Sequence, residues 1–371
     1  MMNLLPDEEH EAVTELARSI ATGILSPAAR EAEQEQAVPK DVWIKLFESG
    51  LTVPIPEEFG GGGVPDTITQ LLAVENLAFG DAGITMAAVW SGAAGGLIAR
   101  HGTPSQTDGL RILASSPDAR GAVALHEGHG RGPAELETTI AIDGDTVKIV
   151  GRKVGVAFAA TADPLVVVGR DAEDGRLRAV VLSSADAGVT VDELTRGIAL
   201  GAAATGSITF DVTTTTDALL GGVDADAEAL TTSVQQLRLL NASAQVGTGQ
   251  RAIEYAAEYA TTRIAFGTPI AGFQGVSFPL AEGIMRLDAA RLEINDVAER
   301  LDLGVGVSEV DVARAVSYAS EVALEATRDS VQTLGGHGFI TDHPVEIWYR
   351  SAAALAALDF DPTRSSFEPA L

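Results

Sequence analysis

The chain has 371 residues, with 25 Lys and Arg against 52 Asp and Glu, which gives a formal net charge of −27. Such a charge repels phosphate backbones and anionic lipid, so nucleic acid and membrane surfaces are excluded as expected partners. The absence of cysteine excludes a disulfide framework and a cysteine nucleophile, and it favours the reducing cytoplasm. No stretch of about 18 uninterrupted apolar residues is present, so we expect no membrane-spanning helix.

The N-terminal part of the chain has apolar residues at helical spacing, from Asp7 to about Leu113. The first apolar stripe comprises Val13, Leu16, Ile20 and Ile24. Prolines 54 and 56 and the four glycines at 60–63 interrupt this pattern. The sequence therefore predicts helices on either side of an irregular segment.

The middle part changes to a period of two, from about Gly121 to Val212. Two apolar runs at 139–142 and 146–150 flank Asp143-Gly144-Asp145, which is a hairpin signal, and a second turn is expected at Asp174-Gly175. We therefore predict a small antiparallel sheet.

Long alanine-rich helices are predicted beyond about Asp226. Their expected ranges are 234–263, 276–303, 309–334 and a last helix near Pro344. The whole pattern predicts an α+β fold with a helical domain at 1–118, an antiparallel β domain at 119–222 and a four-helix bundle at 223–371.

Other kinds of site have weak support in the sequence. The glycine-rich stretch at 128–133 lacks the spacing of a dinucleotide fingerprint, so a Rossmann domain is rejected. Four histidines, His126, His129, His337 and His343, lack helical spacing with a carboxylate, so we predict no metal site and assign them to turns or the surface.

Three segments carry a family resemblance. The first runs from Trp43 to Val53-Pro54-Ile55-Pro56-Glu57-Glu58-Phe59-Gly60-Gly61, the second is Arg263-Ile264-Ala265-Phe266-Gly267, and the third is Gln332-Thr333-Leu334-Gly335-Gly336-His337-Gly338-Phe339. In order and spacing they resemble the acyl-CoA dehydrogenase family, which are FAD enzymes built in the same order of helices, sheet and helices.

This resemblance implies a half-site for FAD that serves a neighbouring subunit. In the family, the last two segments reach across a dimer interface to the pyrophosphate and adenine half of the neighbour's cofactor. The residues implied are Arg263, Phe266, Phe273, Gln274, Gln332, Gly335, Gly336 and Gly338. Arginine offers a planar charged fork to a pyrophosphate, and glycine lets the backbone approach a ligand closely.

The half-site for the flavin ring departs from the family pattern. The family loop of the type A-L-T-E-P-x-x-G-S-D corresponds to residues 124–133 here, where His126 replaces the Thr and Gly132 replaces the Ser. Gly155 and Ala157 stand where the family usually has an aromatic residue and a hydroxyl beside the ring. Most residues that would position a reacting ring are therefore absent.

The expected catalytic base is also replaced. Removal of a thioester α-proton needs a carboxylate opposite the ring, and the family's usual Glu corresponds to Asp359, which is one methylene shorter. The alternative position in some members corresponds to the segment Gln236-Leu237-Arg238, which also lacks Glu.

The leading hypothesis is a subunit of an FAD-dependent acyl-CoA dehydrogenase that serves a catalytic paralogue, with an acyl-CoA substrate and a separate electron acceptor. It resembles actinobacterial α2β2 enzymes that act on steroid-derived CoA thioesters. One alternative is a self-sufficient homo-oligomer that uses Asp359 as its base. Others are a non-catalytic binding or scaffold protein, and a flavin monooxygenase, on the same fold.

Overall fold

A computed structural model describes residues 7–128, 130–192, 197–361 and 364. Helices come first, a sheet follows, and helices return, as the change in hydrophobic period predicts. The irregular segment between the first helices also lies where the prolines and glycines predict it, because α3 ends at Glu48 and α4 begins at Thr67.

Three of the N-terminal helices, α1, α4 and α5, begin at an aspartate side-chain cap. Asp7, Asp66 and Asp81 each accept a hydrogen bond from the backbone N–H three residues on, which satisfies a donor that the first helical turn leaves free. The helices are α1 (Glu8–Ile20), α2 (Ser26–Glu35), α3 (Lys40–Glu48), α4 (Thr67–Ala78), α5 (Ala82–His101), α6 (Pro104–Thr107) and α7 (Leu110–Ser115).

Helix α5 is the most apolar of the long helices. By length and composition it could cross a membrane, but 78% of its most apolar window is buried inside the fold, as in the core helix of a globular domain. Glycines on α5 allow this packing, since a Cβ on Gly92 would lie 1.9 Å from the carbonyl oxygen of Thr52.

The middle part is a mixed sheet of seven strands within the described residues. The strands are β1 (Ala122–Ala124), β2 (Thr139–Asp143), β3 (Thr146–Val156), β4 (Leu165–Asp171), β5 (Leu177–Leu182), β6 (Val189–Val191) and β7 (Gly206–Thr215). Their order is β1-β4-β2-β3-β7-β6, with β5 also paired to β4.

The predicted purely antiparallel sheet is corrected in one respect. Both predicted hairpins, β2–β3 and β4–β5, are antiparallel, but β1 and β2 pair with β4 in parallel. The reason is the segment at 125–138, which carries the chain from β1 to β2 so that both strands run in the same direction beside β4. A local period of two cannot reveal which strands pair over such a distance.

The C-terminal part consists of long helices and a short hairpin. Its elements are α8 (Ala227–Thr262), β8 (Ile264–Ala265), β9 (Thr268–Pro269), α9 (Gln274–Asp302), α10 (Glu309–Leu334) and α11 (Val345–Ala357). Asp226 and Ser308 cap the first and third of these helices, which explains why α8 begins earlier than the apolar pattern alone predicts.

Helix α8 connects the three parts of the fold. Its residues Leu230 and Val234 join a core cluster with Val166 and Val168 of the sheet. Further along, a Cβ on Gly247 would lie 2.0 Å from the carbonyl oxygen of Glu75 in α4. The middle of α8 therefore lies at the junction where the candidate site is found.

Gly92→Ala tests the packing of α5. The added methyl group meets backbone, so we expect a loss of roughly 1–3 kcal/mol in the free energy of unfolding, measured by chemical denaturation. The matched control is Gly23→Ala, in the π-helical turn Ala21–Leu25 that joins α1 to α2, because nothing lies within 4 Å of a Cβ at Gly23. Alanine there should raise the free energy of unfolding by about 0.5–1 kcal/mol, and equal effects of the two substitutions would contradict this account.

Candidate active site

The hairpin that follows α8 projects an aromatic side chain into solvent. Phe266 is 98% exposed, and its backbone has φ of +53°. A residue with a Cβ in this left-handed region costs on the order of 1–3 kcal/mol, and no burial of the ring offsets it. Phe266 and Gly267, with φ of +53° and +82°, form the two-residue turn between Ala265 and Thr268, and a tight hairpin turn of this kind requires positive φ at both positions.

Arg263 forms the end of α8. Its backbone N–H donates to Tyr259 and its carbonyl accepts from Ile270, so its main chain is fixed by the fold. Its side chain is exposed, and no described residue accepts a hydrogen bond from its guanidinium. This leaves a permanently charged fork at the surface, on a main chain that the fold holds in place.

The turn that follows α10 has glycines with different roles. Gly338 is needed by the fold, because a Cβ there would lie 2.5 Å from the carbonyl oxygen of Val331. Gly335 has φ of +56°, which favours glycine. At Gly336 nothing of this chain lies within 4 Å of a Cβ. The chain's own packing therefore gives no reason for glycine at 336, whereas a ligand approaching from outside would.

Two hydrogen bonds tie this turn to the end of α8. The hydroxyl of Tyr259 lies 2.7 Å from Nδ1 of His337, and that of Tyr255 lies 2.7 Å from Nδ1 of His343. The structure thus joins the two motifs, and the remaining implied residues, Phe273, Gln274 and Gln332, are exposed.

The two tyrosines were missed by sequence reasoning. The signal that could have found them is their spacing of four residues on one face of α8, next to the arginine motif. Their histidine partners, His337 and His343, use Nδ1 for these bonds, and no metal-binding cluster is found within the described ranges. His129 lies outside the described residues.

The loop after β1 is anchored by a buried ion pair. Nζ of Lys153 lies 2.9 Å from Oε1 of Glu127 and 2.8 Å from the carbonyl oxygen of Leu125. Glu127 also accepts from the backbone N–H groups of Glu137 and Thr138. Burial lowers the pKa of Lys153 to about 8, against the effect of Glu127. This pair holds the loop that bears His126.

Two residues that the resemblance matches to the ring site, His126 and Gly155, contact this chain's own C-terminal segment. A Cβ on Gly155 would lie 2.3 Å from Cδ2 of Leu358. The ring of Phe360 packs edge-on against His126, with centroids 5.1 Å apart. Beyond them, Asp361 donates its N–H to the carbonyl oxygen of Arg131. We call residues 358–361 the C-terminal strap.

Asp359 lies within this strap and is only 4% exposed. Its Oδ1 and Oδ2 lie 2.9 and 3.3 Å from Nε of Arg238, and Oδ1 also accepts from the N–H of Phe360. Arg238 contacts Glu309 as well. Burial alone would lower the pKa of Arg238, but the two carboxylates raise it. The arrangement is a buried ion pair that fixes the strap to α8.

A cavity of about 40 Å³ remains between α5, α8, the sheet and the strap. Its lining includes His126, Gly155, Arg238, Asn241 and Asp359. The structure therefore brings together His126, Gly155 and Asp359, which the resemblance matches to the family's ring site and base, and packs Leu358 and Phe360 among them.

Comparison with known proteins identifies the chain's relatives. Residues 7–110 match the family model described as acyl-CoA dehydrogenase, N-terminal domain, and residues 227–359 match acyl-CoA dehydrogenase, C-terminal domain. A probable acyl-CoA dehydrogenase of Bacillus subtilis, YngJ, is 30% identical over 364 residues, which cover 95% of each chain.

Solved structures share the fold over nearly the whole length. Butyryl-CoA dehydrogenase from Megasphaera elsdenii has a TM-score of 0.84 at 25% identity and covers 98% of both chains. A chain from a structure of the electron transferring flavoprotein of Acidaminococcus fermentans has a TM-score of 0.86 at 25% identity, over 98% of this chain and 97% of that one.

His126 should make stability depend on pH. Burial lowers its pKa from 6.5 to about 4, so between these values the unfolded chain binds a proton that the folded chain excludes. Stability from this group is therefore complete above pH 6.5 and is lost as the pH falls toward 4, by about 3 kcal/mol in all.

The measurement is denaturant unfolding of the wild type and His126→Gln from pH 7 to pH 4. Between pH 7 and pH 4, we expect the free energy of unfolding of the wild type to fall by about 3 kcal/mol more than that of the variant. His10→Gln serves as the control, since His10 lies in the first turn of α1. Parallel curves for the wild type and His126→Gln would show that His126 is not buried as a neutral group.

Proposed function

The chain belongs to the acyl-CoA dehydrogenase family, and on that premise we propose that it is the subunit of an FAD-dependent acyl-CoA dehydrogenase that holds the cofactor of a catalytic partner. FAD, when bound, supplies the hydride acceptor for α,β-dehydrogenation of an acyl-CoA thioester. The partner supplies the ring site and the base.

The exposed half-site supports the first part of this proposal. Arg263 would hold the pyrophosphate as a charged fork, and the open backbone at Gly335 and Gly336 would let the cofactor approach closely. Gln274 and Gln332 offer neutral donors and acceptors, and Phe266 and Phe273 offer an apolar surface, with ring centroids 6.2 Å apart. The residues present therefore fit the pyrophosphate and adenine half of FAD.

The filled ring position carries the second part. Leu358 takes the space beside Gly155, and the remaining cavity is about 40 Å³, so the residues here do not fit a flavin ring. A chain that keeps the half-site for its neighbour and closes its own ring site is suited to an unequal pair of subunits.

Asp359 as a catalytic base is the main alternative. A general base must reach the proton that it removes, but both oxygens of Asp359 contact Arg238, and one also accepts the N–H of Phe360. Releasing this carboxylate would leave Arg238 buried with only Glu309 to compensate it, at a cost of several kcal/mol. The ion pair favours a structural role for Asp359.

The finer parts of the proposal concern assembly, substrate and partners. We propose an α2β2 assembly in which each pair of unlike chains binds one FAD. This arrangement would account for a chain with one exposed and one filled half-site. The steroid-derived acyl group is supported only by the resemblance to actinobacterial heteromeric members. Reduced flavin must pass its electrons on, so we also propose a separate cytoplasmic electron acceptor.

A dye-reduction assay tests the division of labour. We expect the purified chain, supplied with FAD and a panel of CoA thioesters that includes steroid side-chain CoA, to show no turnover, and co-expression with a base-bearing paralogue to restore it. In the complex, Asp359→Asn should leave kcat unchanged, provided that circular dichroism shows a folded subunit. Turnover by the lone chain that disappears in Asp359→Asn would instead establish the homo-oligomeric enzyme.

Arg263→Ala tests the cofactor half-site. Loss of charge-assisted hydrogen bonds, worth about 1.5–3 kcal/mol, should weaken FAD retention in the assembled complex roughly ten- to hundredfold, as measured by flavin fluorescence after dialysis. Arg328→Ala is the matched control, because Arg328 is an exposed arginine paired with its neighbour Asp329. Equal FAD retention by the Arg263→Ala and Arg328→Ala complexes would show that Arg263 does not bind the cofactor.

A further inference from the structure

His337 lies in the glycine turn after α10 and has one ring nitrogen that the fold does not use. Its Nδ1 lies 2.7 Å from the hydroxyl of Tyr259. Its Nε2 forms no hydrogen bond with any described residue, and this atom is not sealed from solvent. The side chain as a whole is half-buried. His337 is therefore anchored to its own chain on one side and available to a further group on the other.

The bond to Tyr259 decides where the ring proton lies. A neutral imidazole has one donor and one acceptor nitrogen, and a phenol hydroxyl needs an acceptor for its proton. Within the described part of the chain, the acceptor beside this hydroxyl is Nδ1 of His337. With Nδ1 accepting, the ring proton is on Nε2, which points away from Tyr259. The tyrosine thus gives His337 an outward N–H donor.

Two neighbouring rings hold the imidazole in this orientation. The ring of Tyr259 lies edge-on to it, with centroids 6.0 Å apart, and the ring of His343 lies at 5.4 Å in a tilted plane. His343 is itself held by Tyr255, whose hydroxyl lies 2.7 Å from its Nδ1. A donor that is already held in its binding orientation loses little conformational entropy when it binds a ligand.

The neighbours of His337 belong to the two motifs of the proposed half-site. Tyr259 and Arg263 are one helical turn apart at the end of α8, which is about 6 Å along the axis, and the carbonyl of Tyr259 accepts from the N–H of Arg263. In the chain, His337 directly follows Gly336, where nothing lies within 4 Å of a Cβ. His337 is therefore attached both to the arginine motif and to the open backbone of the turn.

A phosphate oxygen is the acceptor that this position favours. Hydrogen bonds to an ionised acceptor are roughly twice as strong as those between neutral groups. A pyrophosphate also has oxygens on two phosphorus atoms, whereas a single guanidinium fork such as that of Arg263 binds two oxygens at a time. A second donor on the same surface would engage an oxygen that Arg263 leaves free.

We propose that His337 is a further binding residue of the FAD half-site and that its Nε2–H donates to the pyrophosphate beside Arg263. Tyr259 is then a positioning residue, because it acts on the cofactor only through His337. This inference rests on the proposed function, since the ligand is the FAD that the half-site holds for the partner subunit.

Two substitutions of His337 distinguish binding from support. The amide of Asn reaches the position of Nδ1, so His337→Asn keeps the contact with Tyr259 and loses the outward donor. The longer Gln brings its amide nitrogen to the position of Nε2, so His337→Gln keeps that donor. We expect FAD retention in the assembled complex to fall roughly tenfold in His337→Asn and less than about threefold in His337→Gln, as measured by flavin fluorescence after dialysis. The opposite order, or equal retention by the two variants, would overturn the proposal.

Chemical modification provides a second measurement that needs no variant. Diethyl pyrocarbonate modifies accessible uncharged imidazole nitrogens, and mass spectrometry of the peptides identifies each modified histidine. In the wild-type complex, FAD at about ten times its dissociation constant should slow the modification of His337 roughly tenfold. His10, in the first turn of α1, should react at the same rate with and without FAD. Unslowed modification of His337 in the FAD-loaded complex would contradict the proposal.

Failure of this inference differs from failure of the proposed function. FAD retention that falls in Arg263→Ala and stays at the wild-type level in His337→Asn would contradict only the role of His337. Retention at the wild-type level in both variants would contradict the half-site itself.

Discussion

The buried ion pair between Arg238 and Asp359 is the contact on which the rest of the candidate site depends. It joins α8 to the C-terminal strap, and Glu309 adds the start of α10. Because removing one partner would leave an uncompensated buried charge, the strap cannot leave its place without a large loss of stability. Leu358 and Phe360 are therefore held on either side of Asp359, against Gly155 and His126.

The two proposed half-sites, the inner one around His126 and Gly155 and the outer one around Arg263 and Gly336, have opposite properties. The inner half-site is packed, and its remaining space is small and lined by polar atoms. The outer half-site is open, with Phe266 strained and exposed and with glycine at 336 where the chain itself does not require it. A strained backbone persists only where its surroundings hold it, and the pairing of Ala265 with Thr268 in the β8–β9 hairpin holds Phe266 in place.

Because the chain is strongly acidic, the absence of a described carboxylate partner at Arg263 is informative. With 52 acidic and 25 basic residues, most arginines in the bundle contact a carboxylate, as Arg291 does with Glu75 and Arg314 with Glu293. Arg263 is presented without a described acceptor at the end of a 36-residue helix. In so acidic a protein, a free guanidinium at a fixed position is suited to an anionic group from outside.

The sequence by itself determined the order of helices and strands, both hairpins and the C-terminal helices, because these depend on local hydrophobic period and turn residues. It also determined which residues depart from the family's ring-site pattern, such as Gly155, since comparing residue types at matched positions requires no structure.

Tertiary structure decided what these departures mean. Only packing shows that Leu358 fills the space beside Gly155, that Asp359 pairs with an arginine 121 residues away, and that β1 and β2 lie parallel to β4. Such contacts join residues far apart in the chain, and local periodicity carries no information about which distant side chains meet.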